Sequence, residues 1–183
     1  MRRENTRRAM PIALQLTGKR ALVVGSGPHA DARAQRLEDG GASVVRAAEA
    51  DYRAAACEGM FVVVANSDDA ALNRRAAQDA RAAGCLAYAH DDPEVSDFAM
   101  PAVVKRGPVK IAISTDATAP ALSRRLREQL ESLLDACGAA FDTLAAGMAD
   151  RREELPPGKR GSELYKMASR LEIEGRVVIR DLE

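Results

Sequence analysis

The chain has 183 residues, enough for one domain with a real core plus a small second unit, and too few for two full-sized domains. Its 27 basic and 27 acidic residues cancel, so no global field directs it to nucleic acid or to an anionic membrane. Hydrophobic residues, with alanine prominent, make up 46% and aromatics only 3%, which suits helices packed closely on a sheet and argues against an aromatic platform for stacking on bases. The first residues are basic, through Arg2, Arg3, Arg7 and Arg8. The apolar run that follows, Met10 to Leu16, is broken by Pro11 and Gln15 and is too short for a signal or a membrane-spanning helix. Residues 20 to 24, RALVV, read as a strand that meets GSGPHA at Gly25 to Ala30 and then a helix to about Asp39. Gly40 and Gly41 end that helix, and Ser43 to Arg46 read as the second strand of a β-α-β unit. MFVVVANSDD at 60 to 69 reads as a third strand, whose continuous hydrophobicity is what a parallel strand covered on both faces needs. A helix over 69 to 83, a strand CLAYA and a strand VKIAIST at 109 to 115 continue the alternation, which predicts an α/β fold with a doubly wound parallel sheet.

Beyond Pro120 the pattern becomes helical. Leu122, Leu126, Leu130, Leu133 and Leu134 recur at helical spacing. Residues 139 to 153 read as a further helix, LPPGKRG at 155 to 161 as a turn or linker, 162 to 174 as another helix, and RVVI near the end as an edge strand or a tail. Cys57, Cys85 and Cys137 lie far apart without metal-ligand spacing, and an odd number makes no disulfide framework, so reduced structural thiols in a cytoplasmic protein without a resident metal are the expectation.

Gly25-Ser26-Gly27-Pro28-His29-Ala30 fits the dinucleotide fingerprint G-x-G-x-x-G/A in the context it requires, between an apolar strand and a helix. The first glycine permits the tight turn, the second lets backbone approach a pyrophosphate, and the helix N-terminus supplies a positive dipole. The acid that accepts from the adenosine ribose should follow about 20 residues on. Glu49 and Asp51 are candidates, whereas nearby Arg46 would suit a 2′-phosphate instead, so NAD is preferred to NADP. Ala65 to Asp69, ANSDD, follows a parallel strand where such sheets bind ligands, with Ser67 read as the cap of the next helix and Asn73 and Arg75 as surface residues. Asp91 and Asp92 follow the strand CLAYA and so fall at the same carboxyl edge. There one carboxylate can serve as general base while the other caps a turn, and His90 stands beside them.

Three blocks, MPIALQLTGKRALVVGSGPHA, DDPEVSDFAMPAVVKRGPVKIAIST and APALSRRLREQLESLL, resemble successive signatures of the precorrin-2 dehydrogenase family, which includes the N-terminal module of siroheme synthase and members that also act as sirohydrochlorin ferrochelatases. The likeness covers roughly residues 10 to 150, and the second block is its most specific part. The resemblance implies NAD-dependent dehydrogenation of precorrin-2 to sirohydrochlorin, with Asp91 as the catalytic residue. It also implies a nucleotide site at Gly25, Ser26, Gly27 and Pro28, with Ser67 and Asp68 beside it and Glu49 at the ribose. It divides the chain into a Rossmann domain at 10–107, a dimerisation segment at 108–135 and a small helical domain at 136–183, and it implies a homodimer. Where iron is inserted, ferrous iron would be a substrate delivered transiently. Precorrin-2 carries many carboxylates, so its site should offer cations; Lys105, Arg106, Arg124, Arg125 and Arg127 flank the expected cleft, and Arg106 and Arg124, with Ser114 and Thr115, are taken as the substrate-binding residues.

The chain departs from the family pattern at defined places. It has much less sequence between Glu49 and Met60, Ser26 where a third glycine is common, Asp116-Ala117 in place of a glycine pair, Tyr88 in place of an asparagine and His90 in place of an apolar residue. A diverged, non-catalytic protein of the same fold that binds dinucleotide or tetrapyrrole is the alternative these departures support. A generic Rossmann oxidoreductase for a small substrate explains the glycine turn but not the second block.

Overall fold

The computed structural model describes residues 9–116 and 118–174. The chain divides into two compact units, Met1–Met100 and Pro101–Glu183. In the first, four parallel strands, β1 (Arg20–Val24), β2 (Ser43–Ala47), β3 (Val62–Ala65) and β4 (Leu86–Ala89), form a sheet in the order β2-β1-β3-β4. Side chains along a strand alternate between faces, so consecutive residues of β1 and β3 feed different cores. Leu22, Val24, Val63 and Ala65 join Leu72, Ala76, Ala77 and Ala80 of α2 (Ala70–Ala82). Ala21, Val23, Val62 and Val64 join Ala30, Ala34 and Leu37 of α1 (Pro28–Asp39). Helices therefore cover both faces, which is why β1 and β3 are apolar without a break. Leu22, Val23, Val24, Val62, Val63 and Val64 are fully buried, each worth about 1.5–3 kcal/mol of transfer free energy. The helices present alanines to the sheet, allowing close approach.

The chain leaves β1 toward β2 on one side and returns to β3 on the other, so the sheet reverses direction between β1 and β3. The loops that follow these two strands open the crevice where such sheets bind ligands. The short stretch between β2 and β3 holds only one 3₁₀ turn, Ala54–Cys57. Tyr52 anchors it from the core, 2% exposed, with its hydroxyl donating to Asp79 Oδ2 at 2.9 Å.

The second unit begins with an antiparallel hairpin, β5 (Ala102–Arg106) and β6 (Val109–Ile113). Its two-residue loop begins with Gly107 at φ 52°, the positive φ that tight hairpin turns require. The strand expected at 109 to 115 thus belongs to a separate two-stranded sheet and not to the doubly wound one. Helices α3 (Pro120–Ala136), α4 (Ala139–Glu154) and α5 (Pro157–Ala168) follow. Val104, Leu134 and Phe141 form the core of this unit, with Val109, Ile111, Ile113 and Leu130 packed against it. Residues 155 to 161 are not a linker throughout. Leu155 is buried and Pro157 opens α5 at its first position, where its missing N–H costs nothing. The RVVI stretch near the end lies outside the described residues.

Candidate functional site

The glycine turn is fixed by sterics at one end and left open at the other. Gly25 has φ 124°, and a Cβ placed on it would lie 2.5 Å from the carbonyl oxygen of Asn66, on the loop after β3. Only glycine lets those two loops approach so closely. Gly27, at φ 84°, caps α1, and a Cβ there would meet nothing within 4 Å. A side chain would therefore occupy the space above the turn, where the positive end of the α1 dipole lies. Pro28 occupies the first helical turn.

Glu49, just beyond β2, reaches back to this turn. Its carboxylate accepts from Ser26 N at 3.0 Å and from Ser26 Oγ at 2.7 Å, and the Ser26 hydroxyl in particular holds its carboxyl below the usual carboxylate value. A cavity of about 450 Å³ opens beside it, lined by Glu49, Ala50, Asp69, Ala71, Leu72 and Arg75. Arg46, the alternative partner for a 2′-phosphate, forms an ion pair with Asp31 instead. Asp51 is exposed, and its backbone N–H closes a turn on Ala48 O at 3.0 Å.

The loop after β3 is built differently from the sequence expectation. Asp69, not Ser67, caps α2, its side chain accepting from the N–H groups of Ala71 and Leu72 at 2.9 and 3.1 Å. Asn73 is not a surface residue. It is 2% exposed, its Oδ1 accepts from Ser67 N and Ser67 Oγ, both at 2.9 Å, and its Nδ2 donates to Ser67 O at 2.9 Å. The signal for this was its position on the same helical face as Leu72, Ala76, Ala77 and Ala80. A polar residue on that stripe must find partners, and the Ser67 peptide supplies them. Asp68 is exposed beside this fixed loop, and Arg75 is exposed with its guanidinium 5.7 Å from the Tyr52 ring centre.

After β4, the acidic block protects the sheet edge. Asp97 Oδ2 accepts from Ala87 N at 2.8 Å, its own N–H donates to Ala87 O, and Ser96 Oγ accepts from Ala89 N, so side chains complete the ladder that an edge strand leaves open. Asp92 Oδ1 accepts from Glu94 N, and Arg74 binds both Asp92 at 2.7 Å and Glu94 at 3.2 Å. Asp97 is paired with Arg81 at 2.7 Å. Asp91 stands apart from this network. Its backbone takes φ 53°, and its side chain is 90% exposed with His90 Nε2 3.6 Å away, beyond hydrogen-bond length. The left-handed conformation, which aspartate tolerates better than most residues, turns this carboxylate away from its neighbours.

In the second unit, Ser114 and Thr115 build the entry to α3. Thr115 Oγ1 is 3.1 Å from Ser123 Oγ, and Ser114 Oγ accepts from Asp116 N. Asp116 takes φ 48°. Arg106 is an internal clamp, donating to Asp135 at 2.8 Å, to Asp142 at 2.9 Å and to the carbonyl of Gly138 at 3.0 Å. Arg124 is 78% exposed and paired with Glu128 along the helix.

A parallel sheet that reverses beside a glycine turn, with a carboxylate bonded to that turn and open space over the helix N-terminus, defines a dinucleotide-binding α/β domain, and these residues fit a nicotinamide dinucleotide. The comparisons agree: residues 12–102 match the NAD(P)-binding family model, and residues 106–133 match that of the sirohaem biosynthesis protein central region. The siroheme synthase of Gluconacetobacter diazotrophicus is 41% identical over 168 residues, covering 79% of this chain and 35% of that protein. The siroheme synthase of Methylobacillus flagellatus is 32% identical over 165 residues, covering 80% and 35%. The chain thus spans about a third of the length of these relatives. A solved structure titled SirC, precorrin-2 dehydrogenase, shares the fold with a TM-score of 0.67 at 20% identity, over 87% of this chain and 89% of that one. The chain belongs to the siroheme synthase family.

Proposed function

We propose that this chain is an NAD-dependent precorrin-2 dehydrogenase that forms sirohydrochlorin. The observation that carries the reading is the Asp91 carboxylate, solvent-facing at the carboxyl edge of the sheet that holds the glycine turn, while Asp92, Glu94 and Asp97 are all tied to arginines. The relatives named siroheme synthase support the substrate, and the glycine turn supports the cofactor. When bound, NAD supplies the hydride acceptor. Asp91 then takes the proton that leaves with the hydride, so that the tetrapyrrole loses two hydrogens in total. Gly25, Ser26, Gly27 and Pro28 hold the pyrophosphate, and Ser67 and Asp68 border the dinucleotide. Glu49, kept ionised by Ser26, accepts from the ribose hydroxyls and repels a 2′-phosphate, which favours NAD.

The same reading makes ferrous iron a substrate where iron insertion follows, with Asp91 as the proton acceptor. It makes the protein a cytoplasmic homodimer, joined through residues 108–135; Leu122, Leu126 and Leu133, exposed on α3, support a covered face there. Among the described residues, no helix is long and apolar enough to cross a membrane. Within the second unit, Arg124, with Ser114 and Thr115 at the base of its helix, offers donors suited to a carboxylate of the substrate, and Arg106, the other cation expected there, is engaged by Asp135 and Asp142.

The test is Asp91→Asn. It should abolish dehydrogenation of precorrin-2 with NAD affinity kept within about twofold of wild type, a difference of about 0.4 kcal/mol. Undiminished turnover would remove Asp91 from the chemistry, and loss of the fold would make it structural.

A further inference from the structure

Arg33, on the second turn of α1, is half-buried, and among the described residues every partner it has is neutral. Its Nε donates to Oδ1 of Asn66 at 3.4 Å and its Nη2 to the phenol oxygen of Tyr88 at 3.5 Å, both at the long limit of a hydrogen bond. The guanidinium carbon lies 5.5 Å from the centre of the Tyr88 ring. Arg46, Arg74, Arg81 and Arg106 each have a carboxylate. A guanidinium withdrawn from water and left with weak neutral contacts retains most of its capacity for an anion, and its planar fork matches a carboxylate.

Tyr88 supplies a second donor. Its oxygen accepts from Arg33, and its own O–H has no acceptor among the described residues. Burial pushes the phenol pKa up, Arg33 opposes this and nearby Asp91 adds to it, and with the net shift upward Tyr88 stays protonated and able to donate. The cluster also has a defined place. Asn66 follows β3 directly against Gly25, and Tyr88 is the penultimate residue of β4, shortly before Asp91. In the sheet order β1-β3-β4, these groups bridge the glycine turn and the proposed base.

We infer that Arg33 and Tyr88 form a binding subsite for one carboxylate side chain of the tetrapyrrole substrate, with Asn66 fixing the guanidinium, and that this contact orients the macrocycle against Asp91. The inference rests on the dehydrogenase reading above. The dinucleotide's pyrophosphate has its own donors at the α1 N-terminus, so the second donor set is assigned to the substrate.

The test uses the full chain with Arg33→Met, Arg33→Lys and Tyr88→Phe. Precorrin-2 turnover is measured anaerobically at saturating NAD, and NAD affinity is measured separately by calorimetry. Arg33→Met should raise the KM for precorrin-2 about tenfold or more, Arg33→Lys should recover part of the loss, and Tyr88→Phe should raise KM about threefold, all with NAD affinity within about twofold of wild type. Unchanged KM in Arg33→Met and Tyr88→Phe overturns the subsite. Weaker NAD binding with unchanged KM assigns the cluster to the dinucleotide and overturns it equally. If Arg33→Met does not fold, unchanged KM in both other variants is decisive against the subsite. Wild-type protein without NAD-dependent turnover removes the dehydrogenase reading. Titration of wild type and Arg33→Lys with sirohydrochlorin then decides the subsite alone, weaker binding by the variant supporting it and equal binding overturning it.

Discussion

Gly25 and Gly27 sit two residues apart in one turn, and the geometry assigns them opposite failures. A methyl group on Gly25 would lie 2.5 Å from Asn66 O, 2.7 Å from Asn66 C and 2.9 Å from Ser67 N, all backbone atoms that no rotamer change can move aside. The loop after β3 would have to shift, and that loop is fixed by the three bonds between Asn73 and Ser67. Overpacking of this kind costs about 1–3 kcal/mol, and forcing a non-glycine residue to positive φ adds about 1–2 kcal/mol. Gly25→Ala should therefore destabilise the protein by about 2–5 kcal/mol, or about 4–20 °C in Tm. Gly27→Ala meets nothing within 4 Å, so it carries only the positive-φ cost of about 1–2 kcal/mol. Its methyl projects into the space above the turn, and Gly27→Val fills more of it, so NAD affinity in the valine variant should fall by more than about tenfold, roughly 1.4 kcal/mol. Urea unfolding gives the stabilities and calorimetric NAD titration gives the affinities. If Gly25→Ala unfolds with wild type, or Gly27→Val binds NAD as tightly as wild type, the division of roles is wrong.

Asn73→Leu should lower stability by about 2–6 kcal/mol in urea unfolding, because it leaves the buried N–H and C=O of Ser67 without partners at about 1–3 kcal/mol each; a loss below about 0.5 kcal/mol would show that the loop re-pairs elsewhere. Glu49→Gln should weaken NAD about tenfold and narrow its preference over NADP, measured by titration with both nucleotides. The Glu49 carboxyl is held below 4.5 by Ser26, so the stabilisation of the turn by the ionised form is complete above that pH and is lost as pH falls through the depressed value. NAD affinity should show that acid limb in wild type and lack it in Glu49→Gln. Arg106→Ala should cost about 1–2 kcal/mol, a modest figure because Asp135 and Asp142 are well exposed and screened, and should leave NAD affinity unchanged.

The first unit was legible because its sequence is locally consistent. Continuous apolar strands, glycines at the helix ends and the G-x-G-x-x-A turn all specify a sheet covered on both faces. The second unit was less so. The hairpin at 102 to 113 turns at Arg-Gly-Pro, but its second half alone, largely apolar, reads like one more parallel strand, and only pairing partners distinguish the two. Proline at the first position of α5 resembled a linker because proline both breaks helices and begins them. In the candidate site, the order of elements located Asp91 and Asp92 at the carboxyl edge of the sheet, yet not which acids were already engaged. The pairing of Arg106 with Asp135 and Asp142 joins residues about 30 positions apart and leaves no local signature. Asn73 and Asp69 show the same limit on a smaller scale. Which of several polar residues becomes the cap and which is buried depends on the neighbouring loop, not on propensity.

The most direct test of the account is an anaerobic single-turnover reaction of the full chain with precorrin-2 and NAD, following sirohydrochlorin absorbance and NADH fluorescence together, with Asp91→Ala alongside. The account predicts equimolar sirohydrochlorin and NADH from the wild-type protein and neither from the variant, which should still bind NAD. A folded wild-type protein that binds NAD and leaves precorrin-2 unchanged would contradict it.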